Sequence, residues 1–247
     1  EEMRLSACVM AAISAVSVFA AIPQTGKIGR IYNEKFGGFV TQPGSLKGSI
    51  GFLNAQGRVD ASEIDHVIAN WKKLLQHTMV KKDVTPLKGL PTRADVEKSG
   101  VTVAIYAVDD ASLPPLLVAP EDRWALVNVA RLDVGLKDNA VGKAILKTRF
   151  RAELMRAFSL VCGGASSQFG GNVYTAVEVS QLDSLNADAL QVDMVQRIGG
   201  YLKNLGVTPA RIVTYARACQ EGWAPAPTND FQRAAAEKVR ARKAAGK

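Results

Sequence analysis

Few side chains in this sequence are suited to metal binding or to nucleophilic and acid–base chemistry. Among 247 residues there are two histidines, His66 and His77, and three cysteines, Cys8, Cys162 and Cys219. His66 falls on a predicted helix and His77 on the following strand, so they do not share a helix face. The cysteines follow neither zinc nor disulfide spacing. If the N-terminal segment is removed, Cys162 and Cys219 remain as a candidate disulfide pair, and two buried free thiols are the alternative. We interpret both histidines as surface or capping residues, and predict neither a metal site nor Ser-His or Cys-His catalysis.

Paired carboxylates are the remaining candidates for acid–base chemistry. Asp109 and Asp110 end an apolar run, at the position where α/β sheets often hold functional carboxylates. The same aspartates can hold a turn by accepting hydrogen bonds from backbone N–H groups, and we favour that interpretation. A metal-independent hydrolase would need a carboxylate such as Asp109 or Glu121 to converge with another in one pocket.

The longest predicted helix covers residues 137–162 and closes with the segment RAELMRAFSLVCGG. Gly163 and Gly164 follow its last apolar position, and glycine readily adopts the left-handed geometry that ends a helix. Six apolar residues are predicted near one face: Val141, Ala144, Ile145, Ala152, Met155 and Phe158. This helix therefore has to be covered by a hydrophobic core.

The segments before this helix predict a sheet. Strands are predicted at residues 48–55, 77–84, 101–110 and 124–132. The run at 101–110 is almost continuously apolar, which is typical of a strand that is buried on both faces. Prolines within residues 111–123 exclude a central strand and predict an edge segment or a loop.

One helix is predicted between the first two strands. Asp60 and Glu63 form a capping box at its start. Its core-facing stripe comprises Ile64, Val67, Ile68, Trp71, Leu74 and Leu75. We predict that residues 22–47 are irregular and that residues 83–99 are a polar connector.

Helices dominate the remainder of the chain. They are predicted at residues 192–205 and 209–219, the second capped by Thr208. Trp223 and alternating prolines then form an extended linker before a charged terminal helix, and the tryptophan either pins this tail or docks on a partner. The order β-α-β-β-β-α predicts a single α/β domain with a mixed sheet, residues 22–206, followed by a helical C-terminal extension, residues 207–247.

The element order and the helix at 151–164 resemble the archaemetzincins, a group of metzincin zinc peptidases. Their helix carries roughly Lys-Glu-x-x-His-Glu-x-x-His-x-x-Gly-x-x-His-Cys, which presents histidines to zinc and a glutamate to water. Glu153 matches the first glutamate, Gly163 the turn glycine, and Asp183 lies near an aspartate of a later family segment. The ligand positions hold Arg156, Leu160 and Ser166, and the general-base position holds Ala157.

The resemblance implies a metzincin-like fold over residues 48–206 whose zinc chemistry is lost. Arginine, leucine and serine do not make a zinc site, and alanine cannot move a proton. We favour a non-catalytic pseudoenzyme, without metal or cofactor, that holds a peptide or protein partner; a hydrolase and a polyanion-binding protein stay as alternatives. Arg156 would anchor a carboxylate of the partner. The alternative is a structural role, in which a buried Arg156 pairs with Glu153 three residues earlier. The predicted binding residues are Arg156, Glu153, Gly163, Trp223 and Asp109.

The net charge of +8 is concentrated at the C-terminus. Residues 231–247 include six basic side chains and one acid, Glu237. Such a tail suits polyanion binding, which steep salt dependence would reveal. Because no aromatic residues interleave with the charges and no nucleic-acid-binding motif is present, we do not expect a nucleic acid partner.

Residues 1–21 resemble a secretory signal peptide. Arg4 precedes an apolar run that is short for a membrane span. A retained and buried N-terminal segment is the alternative, and both stay open. Removal predicts a secreted or periplasmic protein and retention a cytoplasmic one, with membrane contact expected only through this segment.

Overall fold

The computed structural model describes residues 27–54, 61–163, 178–185 and 192–246. They form two compact units, one of residues 47–208 and one that combines residues up to Leu46 with those from Pro209 onward. The predicted signal or buried segment, residues 1–21, lies outside the described residues. No helix in the described part of the chain is long and apolar enough to cross a membrane.

The smaller unit opens with helix α1 (Lys27–Phe36) and strand β1 (Phe39–Thr41). The larger unit contributes β2 (Ile50–Asn54), α2 (Ala61–Leu75), β3 (Met79–Asp83), α3 (Arg93–Lys98), β4 (Val103–Val108), β5 (Leu116–Ala119), β6 (Trp124–Asn128), α4 (Ala140–Val161) and α5 (Val192–Asn204). The smaller unit then adds β7 (Ile212–Thr214), α6 (Tyr215–Glu221) and α7 (Asp230–Ala244). Short 3-10 helices cover Val129–Arg131 and Val179–Ser184.

The larger unit is built on a five-stranded mixed sheet in the order β3-β2-β4-β6-β5. β2 is parallel to β3 and β4, and β4 is parallel to β6, whereas the edge strand β5 is antiparallel to β6. The prolines around β5 lie outside the strand, so each of its residues keeps a backbone N–H. The predicted α/β class, with a mixed sheet and a helical C-terminal region, is confirmed.

Side chains alternate between the two faces of this sheet, as strand geometry requires. One face packs against α2 and α4, where Trp71 stacks on Phe158 with ring centroids 4.9 Å apart. The opposite face carries a smaller cluster that includes Val96 of α3 and Tyr106 of β4. Because both faces are covered, β4 is buried along its whole length, as its continuous apolar sequence predicts.

Two stretches that were predicted to be irregular contain regular elements. Residues 83–99 include α3, which begins at a capping box: Thr92 accepts a hydrogen bond from the N–H of Asp95, and Asp95 accepts one from the N–H of Thr92. Residues 22–47 include α1 and β1, joined by a glycine pair with positive φ. The capping residues in the first stretch and the glycine pair in the second determine these elements, and the overall composition of the stretches does not reveal them.

Other predictions misplace the start or the facing of an element. The helix predicted at residues 209–219 begins only at Tyr215, because β7 precedes it and Thr214, rather than Thr208, provides the cap. Leu74, predicted to face the core, is 42% exposed because it lies at the margin of the apolar stripe of α2.

The smaller unit packs three helices around a two-stranded antiparallel ribbon. β1 pairs with β7, with Phe39 opposite Thr214. Helices α1 and α6 pack against α7, which buries Ala235 and Val239. Gly37 has a φ of 75°, and a Cβ there would lie 3.1 Å from the Cβ of Tyr215. Glycine therefore permits both the turn and the close approach of the chain.

Candidate functional site

Helix α4 is the element on which the sequence places the candidate site, and its two halves differ in burial. Asn139 caps it by accepting a hydrogen bond of 2.9 Å from the N–H of Gly142. The first half is largely exposed: Val141, predicted to face the core, is 66% exposed because the sheet covers only the later turns. The second half is largely buried, and Gly163, with a φ of 72°, follows the end of the helix as predicted.

Glu153 and Arg156 form an ion pair on the buried half of α4. Nη1 of Arg156 donates to Oε1 of Glu153 at 3.3 Å and to Oε2 at 3.4 Å. Burial raises the pKa of Glu153, and the guanidinium of Arg156 offsets part of that rise. This i,i+3 contact is the structural alternative that the sequence offers for Arg156.

Arg149, one of the other arginines of α4, holds a carboxylate through two parallel hydrogen bonds. Its Nε donates to Oδ1 of Asp183 at 2.6 Å, and its Nη2 donates to Oδ2 at 2.9 Å. Nη1 donates to the carbonyl oxygens of Leu132 and Val134 at 2.9 and 3.0 Å. These contacts hold the 3-10 segment of Asp183 against α4, and sequence reasoning did not identify Arg149.

The corresponding edge of Arg156 is unpaired within the described residues. Its Nε is buried and has no hydrogen-bond partner there, and its Nη2 makes no hydrogen bond to any described residue. The side chain is 21% exposed. Since Nε and Nη2 are the donors with which Arg149 binds a carboxylate, Arg156 presents an unused carboxylate-binding edge in a partly buried position.

Glu63 joins α2 to α4. Its carboxylate is nearly buried and pairs with Arg151 and, at 3.2 Å, with Lys147. Asp60, with which Glu63 is predicted to form a capping box, lies outside the described residues, and the box stays a prediction. The carboxylate of Glu63 faces α4, where these two cations offset the cost of burying its charge.

The residues at the family's zinc positions do not fit a zinc site. Arg156 and Leu160 lie one turn apart on one face of α4, and neither a guanidinium nor an isobutyl group offers a lone pair to a metal. Ala157 has no group that could take a proton from water. Ser166, the third ligand position, lies outside the described residues. Among the residues that are described, no group of three His, Cys, Asp or Glu side chains is placed to hold a metal ion.

The carboxyl end of α4 meets α5 and the chain that follows β5. The hydroxyl of Tyr201 donates to the carbonyl oxygen of Pro120 at 3.1 Å. Its ring lies beside Gly163, where an added Cβ would be 3.5 Å away. Cys162 is buried next to this glycine, and burial raises the pKa of its thiol, which disfavours a nucleophilic thiolate. Sequence reasoning missed Tyr201, since nothing in the periodicity of its helix distinguishes it.

Asp109 and Glu121 lie at opposite ends of the sheet. Asp109 follows the carboxyl end of the parallel strand β4, whereas Glu121 follows β5, which runs in the opposite direction. A five-residue strand spans about 16 Å. This pair therefore cannot supply the acid and the base of a hydrolase at one bond.

The turn after β4 has the capped structure that the sequence favours. Oδ1 of Asp110 accepts hydrogen bonds from the N–H and Oγ of Ser112 at 2.8 and 2.7 Å, and these bonds lower its pKa. The buried Asn128, which sequence reasoning did not single out, donates to the carbonyls of Asp110 and Leu113 at 2.6 and 2.8 Å. Its only sequence signal is an amide at the end of an apolar strand.

The histidines and cysteines do not form a site in the described residues. Nε2 of His66 lies 3.1 Å from Nδ2 of Asn70, one turn further along α2. His77, predicted to be a surface or capping residue, is buried, because the short link between α2 and β3 draws it into the core with them. Burial lowers its pKa. Cys162 and Cys219 are both free thiols, the first buried and the second half-buried.

Trp223 is half-buried beside the carboxyl end of α6. Its Nε1 donates to Oε2 of Glu221 at 2.7 Å. Hydrogen bonds from Arg211, Trp223 and Arg217 hold the pKa of Glu221 well below its usual range. The indole is thus fixed locally within the smaller unit, and its docking on a partner stays a prediction.

No protein-family model matches this sequence, and no curated protein matches it. A crystal structure of archaemetzincin from Methanopyrus kandleri shares 15% identity, with a TM-score of 0.50, over 65% of this chain and 98% of that one. A crystal structure of a zinc-dependent peptidase from Methanocorpusculum labreanum shares 12% identity, with a TM-score of 0.45, over 61% and 100% of the two chains. The first likeness confirms the predicted resemblance at the level of the fold.

Proposed function

We propose that this protein is a non-catalytic binding protein on a metzincin-like fold, in which Arg156 anchors a carboxylate of a peptide or protein partner. The side chains at the family's catalytic positions support this. Arg156 brings a permanent positive charge to a position where a zinc peptidase needs a neutral ligand. Leu160 and Ala157 add no group for acid–base chemistry. Binding is the function that these side chains can still perform.

The unpaired donor edge of Arg156 within the described residues is the observation that carries the proposal. A buried N–H group without a partner costs about 1–3 kcal/mol, so proteins rarely leave one unused. Glu153 occupies Nη1 only. A partner carboxylate at Nε and Nη2 would form the bidentate contact that Arg149 makes with Asp183 in the same helix.

Edge strand β5 offers a surface for the remainder of a peptide. Within the described residues β5 pairs only with β6, and α4 packs against it. An extended peptide would add to this edge through main-chain hydrogen bonds, which give affinity without a fixed sequence. Arg156 would then supply the charged contact that selects a partner carboxylate.

Nuclear magnetic resonance of the isotope-labelled protein tests the proposal. The probes are a randomised octapeptide pool with free C-terminal carboxylates and the same pool with amidated C-termini. The free-acid pool should shift the Nε–H signal of Arg156 and the amide signals of β5, whereas the amidated pool should shift them much less. Neither pool should be cleaved when zinc is added.

Two variants make the result decisive. Arg156→Gln should weaken binding of the free-acid pool by at least about tenfold, since it removes a charge-assisted hydrogen bond. Arg93→Gln, which removes an exposed arginine from α3, should leave binding unchanged. Equal binding by Arg156→Gln and the unmodified protein would exclude the anchor.

A further inference from the structure

The smaller unit contains a cavity of about 300 Å³ between α6, residues 224–227 and α7. Tyr215 lines this cavity, and its hydroxyl donates to the carbonyl oxygen of Pro225 at 2.8 Å. Val239 adds an apolar surface from α7. The alternating prolines hold residues 224–227 extended, so this wall needs little ordering when a ligand binds.

Two cations line this cavity without a carboxylate beside them. Arg240 and Lys243 lie one turn apart on α7, and the cavity lining includes no acidic residue. Nζ of Lys243 donates to the carbonyl oxygen of Cys219 at 3.3 Å, which holds the ammonium group at the cavity. Within the described residues neither cation forms an ion pair. Like charges at this helical spacing repel each other, and a bound anion would relieve that repulsion.

We infer that this cavity binds a small organic anion, whose oxyanion group contacts Arg240 and Lys243 and whose apolar body contacts Val239 and the proline wall. The guanidinium fork suits a carboxylate or a phosphate, and the ammonium adds a second donor. The carboxyl ends of α6 and α7 each contribute about half a negative charge, which leaves a net positive charge of about one. This balance favours a ligand with a single oxyanion group.

Titration of the isotope-labelled full chain with three probes tests the inference. Benzoate carries a carboxylate, phenyl phosphate a phosphate, and benzyl alcohol no charge on a similar ring. At least one of the two anions should shift the amide signals of Cys219, Gly222, Ala224 and Ala226, and it should bind at least about tenfold more tightly than benzyl alcohol. Whichever of benzoate and phenyl phosphate binds more tightly shows whether the cavity prefers a carboxylate or a phosphate.

Matched double variants separate a defined site from general attraction to a basic helix. Arg240→Gln/Lys243→Gln should weaken anion binding by at least about tenfold. Lys238→Gln/Arg242→Gln removes the same charge from the same helix outside the cavity lining, and should leave binding nearly unchanged. If the first double variant fails to fold, Arg240→Gln alone replaces it, since that side chain is exposed.

Three results would overturn the inference: no binding of either anion, equal binding of benzyl alcohol, or equal losses in the two double variants. None of them bears on Arg156, because the amide signals that are followed and the substituted residues all lie in the smaller unit.

Discussion

Replacing Arg149 by methionine would remove four hydrogen bonds from α4 while keeping most of the side-chain volume. The guanidinium side chain is only 6% exposed. Besides binding Asp183, it donates hydrogen bonds to the carbonyl oxygens of Leu132 and Val134. The Leu132 contact is buried, so its carbonyl would lose a donor that water does not replace, at a cost of about 1–3 kcal/mol.

Losing the contact between Arg149 and the carboxylate of Asp183 should destabilise the protein less. Asp183 is 40% exposed, so water can replace the guanidinium, and we expect about 1 kcal/mol instead of the 3–5 kcal/mol of a fully buried pair. Arg149→Met should therefore lower the free energy of unfolding by about 2–4 kcal/mol. Arg93→Met is the matched control: Arg93 and its partner Glu97 are both exposed on α3, and the change should cost less than about 0.5 kcal/mol.

Urea unfolding measured by tryptophan fluorescence can distinguish these outcomes. Trp71 and Trp124 are buried in the larger unit and report on its unfolding. If Arg149→Met and Arg93→Met lowered the free energy of unfolding by amounts within about 0.5 kcal/mol of each other, the segment around Asp183 would not depend on Arg149, and the reasoning would be refuted.

Three further predictions test other contacts. Glu63→Gln should lower the free energy of unfolding by about 1–2 kcal/mol, because it weakens a buried contact with two cations of α4, and an unchanged urea midpoint would contradict this. As pH falls below 6.5, the unfolded chain takes up a proton at His77 before the folded chain does. The protein should therefore lose up to about 1.4 kcal/mol per pH unit relative to His77→Leu in urea titrations, and parallel pH profiles would count against it. Arg156→His/Leu160→His should bind Zn²⁺ weakly, and adding Ser166→His should tighten binding at least about tenfold in a chelator competition; no gain would contradict the alignment with the archaemetzincin helix.

The fold class was predictable because local chemistry determines the large elements. The apolar run that forms β4 has no polar face, which requires cover on both sides. The stripe Ile64, Val67, Ile68 and Trp71 has helical spacing and is buried as expected. β7 was missed because it consists of three residues whose pairing with β1 is distant in sequence.

The candidate site likewise contains contacts that the sequence predicts and contacts that it does not. The Glu153–Arg156 contact was predictable because helical spacing alone brings the two residues together. Arg149 and Asp183 are separated by 34 residues, and Tyr201 and Pro120 by 81, so only the tertiary fold makes these pairs. These long-range contacts position the 3-10 segment against α4 and α5 against the chain after β5. The spacing of apolar residues in the sequence does not predict them.

Metal content tests the central claim most directly. Protein purified without an affinity tag or a chelator, from cells supplied with zinc, can be analysed by mass spectrometry. Because Arg156, Ala157 and Leu160 occupy the positions of two ligands and the general base, we predict less than about 0.1 equivalent of zinc or iron. A content near one equivalent would contradict the account and would require a metal site built from other residues.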